Sequence, residues 1–174
     1  MFKHLSTFPH ILVTGPQRSG TTICAAMIAH DTGLEFLTEE KVPGLDNLRG
    51  LLTTEKRFVL QCPQFCRYIH EFSAPDTLIV MMRRECKDII ASEIRIGWQG
   101  YRKMELARYG VEDGVISDVK YAYWDAHQKH MIQEQLEVEF ESLKEHPLWI
   151  PKSRRLHFGP RQISISDHSV SDPA

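Results

Sequence analysis

The sequence predicts a three-layer α/β domain with a central, mainly parallel β-sheet flanked by helices. Three observations predict it. Apolar runs of strand length are continuous, residues 78–82 (LIVMM) most clearly, as in strands covered on both faces. These runs alternate along the chain with helical segments, the order that packs helices onto a parallel sheet. The first run, residues 11–14 (ILVT), passes through a glycine-bounded turn into the apolar stretch ICAAMIA, a strand–turn–helix unit.

Taken in order, residues 21–30 suit a helix that ends before Asp31-Thr32-Gly33, with Gly33 as cap or turn residue. Residues 34–37 form a short strand, and 38–44 (TEEKVPG) a polar loop. LDNLRGLL (45–52) carries a weak helical pattern. Residues 58–60 are an apolar strand closed by Gln61-Cys62-Pro63. A helix is predicted over 65–72, a turn over 73–76, and a strand over 78–82 that Arg83-Arg84 ends. The next helix spans about 87–94. Residues 97–114, polar and dotted with glycine, read as a mobile excursion over the site. A long helix over 121–136 and a last strand over 138–140 complete the order, and in the helix Tyr121, Tyr123 and Trp124 are packing residues. Pro147, Pro151 and Pro160 break up the tail, which is expected to fray from about residue 163.

Bulk properties bound the function. At 174 residues, 42% hydrophobic and 25% charged, residues 1–174 make a single domain with a real core. A formal net charge of −2 gives no basic footprint for nucleic acid. No apolar run reaches the length of a membrane span, and MFKHLSTFPH lacks the apolar centre of a signal peptide, so a cytoplasmic location is expected. Cys62 and Cys66 have three residues between them, where the usual zinc and redox pairs have two. With Cys24 and Cys86 they read as reduced structural thiols. His127 and His130, three apart on a helix, fit a surface as well as a metal. No metal is expected.

The segment Gly15-Pro16-Gln17-Arg18-Ser19-Gly20-Thr21-Thr22 is a phosphate cradle. The first N–H groups of a helix have no internal partners, its dipole favours an anion there, and glycine lets backbone approach phosphate oxygens. The Gly-x-x-x-x-Gly spacing is that of a Walker A loop and makes the domain P-loop-type, but Thr21 stands where that loop places lysine, and the cation comes earlier, at Arg18. The strand LIVMM ends in Arg83-Arg84, where a magnesium-dependent NTPase places an acid. The site therefore offers anion-binding groups where magnesium needs carboxylates. In a parallel sheet, Arg18, Gln61 and Arg84 all fall at the carboxyl edge, where ligands bind.

QRSGTT (17–22) resembles the 5′-phosphosulfate loop of sulfotransferases that use PAPS (3′-phosphoadenosine 5′-phosphosulfate), nearest to the tyrosylprotein and related group. RRECKDIIAS (83–92) resembles their 3′-phosphate motif, an arginine at a strand end followed eight residues later by a helix serine, here Arg84 and Ser92. An arginine fork suits a phosphate, and a serine two turns into a helix leans back toward its N-terminus. More weakly, AHDTGLEFLTEEKV (29–42) is similar to the segment carrying the family's glutamate base, FVLQCP (58–63) to its strand ending in K-x-P, and EVEFESLKEHPLWI (137–150) to its late Y-E-x-L segment. The resemblance covers roughly residues 10–150.

The resemblance implies sulfuryl transfer from PAPS to a hydroxyl or amine acceptor by in-line displacement, with PAP as the nucleotide product and no obligatory metal. It implies Gln17, Arg18, Ser19, Gly20, Thr21 and Thr22 at the 5′-phosphosulfate and Arg84 and Ser92 at the 3′-phosphate. Glu40, or Glu39, is the base, its pKa lowered by nearby arginines. Arg18 and Gln61 serve transfer. The acceptor is a small molecule, glycan or peptide. Gln61 replaces the family's lysine and brings no charge, so Arg18, Lys41 or Arg83 is left to supply it. The family's late R-K-G loop is missing, with Arg154, Arg155 and Arg161 as substitutes. The alternatives are a non-catalytic module that binds PAPS, PAP or another nucleotide, and a small P-loop kinase.

Overall fold

The computed structural model describes residues 1–72, 74–98 and 101–151. Ser73, Arg154, Arg155, Arg161 and the end expected to fray lie outside the described residues. Strands β1 (His10–Thr14), β2 (Glu35–Thr38), β3 (Phe58–Gln61), β4 (Thr77–Arg83) and β5 (Glu134–Glu139) form one sheet in the order β2-β3-β1-β4-β5. Every neighbouring pair is parallel. The predicted α/β class is the one the chain adopts.

The continuous apolar runs are strands buried on both faces. All five residues of β1 are buried, as is β4 from Thr77 to Met82. Alternation sends Ile11, Val13, Val59, Val80 and Met82 to one face, where helix α1 (Thr21–Thr32) packs through Cys24, Ala25 and Ile28. Leu12, Leu60, Ile79 and Met81 go to the other face. There they meet Leu48 of α2 (Leu45–Leu52), Phe65, Ile69 and Trp124 of α5 (Ile116–His127).

The register pairs His10 with Phe58 on one side and Thr77 on the other, so β1 sits between β3 and β4. The chain goes from β1 to opposite sides of the sheet, and the crevice beyond its carboxyl end is the switch point where such sheets bind ligands. Arg18, Gln61 and Arg84 follow or end β1, β3 and β4 and share that edge, as predicted. Helix α1 begins after Gly20 (φ 104°) and closes on Gly33, whose φ of 73° and N–H bond to the Ala29 carbonyl (2.9 Å) make the predicted cap.

Four stretches differ from the sequence reading. Residues 65–72 form no single helix but two 3-10 turns, Pro63–Phe65 and Ile69–Glu71. Buried Cys66, Ile69 and Phe72 recur every third residue, the period that keeps side chains on one side of a 3-10 turn. Residues 97–114 contain helix α4 (Tyr101–Arg108) instead of a loop; its Leu106 and Glu105 are buried, and Glu105 pairs with Arg108 and with Lys120. The helix placed at 121–136 is α5, which starts at Ile116 and stops at His127. Beyond it Leu136 and Val138 alternate onto the α1 face, so β5 starts at Glu134 and ends at Glu139, not 138–140. The loop at 38–44 holds a short 3-10 turn, Glu39–Lys41, and buries Val42.

All four cysteines are free thiols, and Cys24, Cys62 and Cys66 are buried. Among the described residues, no helix is long and apolar enough to cross a membrane.

Candidate functional site

The cradle is fixed to the sheet before it turns. The Thr14 hydroxyl donates to the Cys62 carbonyl (3.2 Å), and the Cys62 N–H donates to the Val13 carbonyl (2.9 Å). Gly15 (φ 138°) leaves no room for a side chain: an added Cβ would stand 3.0 Å from the Met82 carbonyl oxygen. The Ser19 N–H closes a turn onto the Pro16 carbonyl (3.1 Å). Arg18 is left-handed at φ 69°, alone among the described non-glycine residues. That conformation costs an L-residue about 1–2 kcal/mol, and its neighbours hold it there. The buried Ser19 hydroxyl has no hydrogen-bond partner among the described residues. A buried polar atom without a partner is costly, and an anion in the loop would supply one.

One flank of the loop is cationic. The Arg18 Nε donates to the Ser92 Oγ of α3 (Cys86–Arg95) at 3.1 Å, and the Arg84 Nη1 donates to the Arg18 carbonyl at 2.8 Å. Arg84 is held in turn by its backbone N–H, which donates to the Tyr121 hydroxyl (2.9 Å), and by stacking on the Phe140 ring at 4.2 Å. Arg84 and Ser92 thus both meet the loop at a single residue, Arg18. Burial, then the like charges of Arg95 and Arg84, lower the pKa of Arg18, while Glu93 opposes them. Several guanidinium groups gathered at a helix N-terminus make a field that an anion relieves.

Arg83, named as a substitute cation, is engaged elsewhere. It donates to Glu137 (2.8 and 3.1 Å) and to Asp125, and lies over the Tyr121 ring at 4.8 Å. Against the cost of burial, these carboxylates hold its pKa above the usual arginine value. Lys41 is exposed. Gln61 is buried at the end of β3, in register with Val13 and Thr38. Thr21 is buried and Thr22 exposed at the start of α1.

The other flank mixes charges. The Glu39 Oε2 accepts the Gln64 N–H at 2.9 Å, and the half-buried carboxyl is raised by burial, against that bond and the charge of Lys120. The lowered pKa expected for the base is therefore not found at Glu39: desolvation outweighs its cationic neighbour. Glu40 is exposed. The sequence reading missed Lys120, whose side chain is 1% exposed. Its ammonium pairs with Glu105 of α4 (2.8 Å) and donates to the Gln17 Oε1 in the loop. The signal was present: Ser117, Lys120 and Trp124 form the buried stripe of α5, where lysine is out of place without a partner.

His30, Asp31 and His146 place ligand atoms within 4.8 Å of one another at the far end of α1. The His146 Nδ1 accepts the Leu148 N–H (3.1 Å), and its Nε2 stands 3.2 Å from an Asp31 carboxylate oxygen.

Strand order, loop and helix define a P-loop-type α/β domain. No protein-family model and no curated protein matches the chain. Among solved structures it is similar to shikimate kinase from Acinetobacter baumannii in complex with shikimate. The identity is 16% and the TM-score 0.41, over 79% of this chain and 88% of that one.

Proposed function

We propose that this domain binds PAPS and transfers its sulfuryl group to a hydroxyl or amine acceptor. The observation that carries the reading is the meeting of Arg18, Arg84 and Ser92 at one edge of the loop. Two segments more than sixty residues apart in sequence, each matched to a different phosphate of that nucleotide, come together there. The unpartnered Ser19 hydroxyl fits an anion seated in the loop.

In this reading the amides at the start of α1, with Arg18, Ser19, Thr21 and Thr22, hold the 5′-phosphosulfate, and Arg84 and Ser92 hold the 3′-phosphate. Glu39 takes the acceptor's proton as the acceptor atom bonds to sulfur and the bond from sulfur to the 5′-phosphate oxygen breaks. Glu39 is preferred to Glu40 because it is half-buried with a raised pKa, nearer to what a base at neutral pH requires. Gln61 donates a neutral hydrogen bond at most.

A second reading, a small P-loop kinase, draws on Lys120, a cation beside the loop that would serve phosphoryl transfer equally. Against it stands Arg83 at the end of β4, paired with two acids where a magnesium site needs a free one. The test is release of adenosine 3′,5′-bisphosphate from PAPS across a panel of hydroxyl and amine acceptors. Release that Glu39→Gln abolishes and Glu40→Gln spares supports the assignment; equal turnover in both variants overturns Glu39 as base.

A further inference from the structure

We propose that Lys120 supplies, from α5, the positive charge that positions 21 and 61 lack, and that it acts on the bound anion through the loop residue Gln17. The inference rests on the loop being an anion site, as proposed above.

An ammonium sealed from water carries a desolvation penalty of several kcal/mol unless its donors are satisfied. A methionine of similar length would fill the same space on α5 without that penalty. Two of the three Lys120 donors are directed to Glu105 and Gln17, and the second bond spans 103 residues of sequence. The lysine therefore ties the loop itself, not a neighbouring helix alone, to a fixed charge.

Glu105 does not cancel that charge. Its carboxylate is shared, with Lys120 at 2.8 Å and Arg108 at 2.6 Å, so one acid faces two cations. Glu39 is the next acid that feels Lys120. With Glu39 ionised the four groups are neutral, and with Glu39 protonated they carry one net positive charge. Transfer of an acceptor's proton to Glu39 thus raises the net charge of these four groups by one at the moment negative charge develops on the departing nucleotide. The charge that electrostatic stabilisation requires is then in place without rearrangement. Because it works through Gln17, Lys120 is a positioning residue.

The experiment is calorimetric titration with inorganic pyrophosphate and with adenosine 3′,5′-bisphosphate, at several salt concentrations. It compares the wild type with Lys120→Arg and with Lys120→Met/Glu105→Gln, which removes the ion pair without stranding a buried acid. The expected result is a loss of at least about tenfold in pyrophosphate affinity for the double variant, with a shallower dependence on salt. Lys120→Arg should recover most of the loss. A folded double variant with wild-type affinity and wild-type salt dependence overturns the proposal. Where the double variant fails to fold, the 15N signal of the Lys120 ammonium in the wild type decides: a shift on adding pyrophosphate supports the proposal and no shift overturns it. Wild type that binds pyrophosphate through Lys120 but does not bind the bisphosphate retains the Lys120 role and removes the PAPS reading. Wild type that binds neither removes both.

Discussion

Replacing Gly20 by alanine tests the geometry on which the cradle depends. Gly20 precedes α1 with φ 104°, a region that costs an L-residue about 1–3 kcal/mol. An added Cβ would also stand 2.8 Å from the Phe140 Cε2, and closer still to Cδ2. Phe140 packs against Trp149 and carries the Arg84 guanidinium, so its ring cannot withdraw freely. Overpacking of this kind costs about 1–3 kcal/mol. The two terms together give about 2–6 kcal/mol, or a fall of roughly 4–24 °C in Tm for a domain of this size. Urea titration of wild type, Gly20→Ala, Phe140→Leu and the double variant separates the terms, because Phe140→Leu relieves the clash and leaves the backbone strain. The coupling between the two sites should be favourable by about 1–3 kcal/mol. A Gly20→Ala protein within about 0.5 kcal/mol of wild type would refute both the positive φ and the contact with Phe140.

Two pH dependences follow from the charge environments. Folding raises the Glu39 pKa above its ordinary 4.5, so its favourable contribution is present below 4.5 and is lost as pH rises through the folded value. Glu39→Gln should therefore gain stability relative to wild type between pH 4 and pH 7, read from urea midpoints; a constant difference would contradict the assignment. Asp31 is the opposite case: the Met1 amine (2.8 Å) and the Phe2 N–H (2.7 Å) hold its pKa below the ordinary 3.8. Its contribution is present above 3.8 and is lost as pH falls through the lower folded value. Asp31→Asn should be less stable than wild type at pH 6, with the gap closing in acid; a gap that widens in acid would reverse the sign.

The central part of the site was legible because it is local. Residues 11–22 carry strand, turn and helix start in one stretch, and Arg84 and Ser92 are placed by a strand end and two helical turns. The meeting of the two segments follows from β1 lying beside β4, which a parallel order of the apolar runs implies. What could not be read depends on contacts between distant segments. The Lys120–Gln17 bond exists only once α5 is laid over the sheet, and composition made α4 resemble a loop because its buried Glu105 looks like a surface acid until Lys120 meets it. The choice between Glu39 and Glu40 rests on which one the turn at Glu39–Lys41 brings to the Gln64 N–H. The two 3-10 turns were missed because three buried residues at a spacing of three also fit one side of an α-helix.

The most direct test of the proposed nucleotide site is calorimetric titration of wild type and Arg84→Ala with adenosine 3′,5′-bisphosphate, beside ADP and ATP with magnesium. Arg84 fixes the Arg18 carbonyl and, in the proposed reading, grips the 3′-phosphate; a charge-assisted hydrogen bond is worth about 1.5–3 kcal/mol. The expected result is preference for the bisphosphate over ADP and ATP, with at least about a tenfold loss of that affinity in Arg84→Ala. Preference for magnesium-ATP, or bisphosphate affinity untouched by Arg84→Ala, would contradict it.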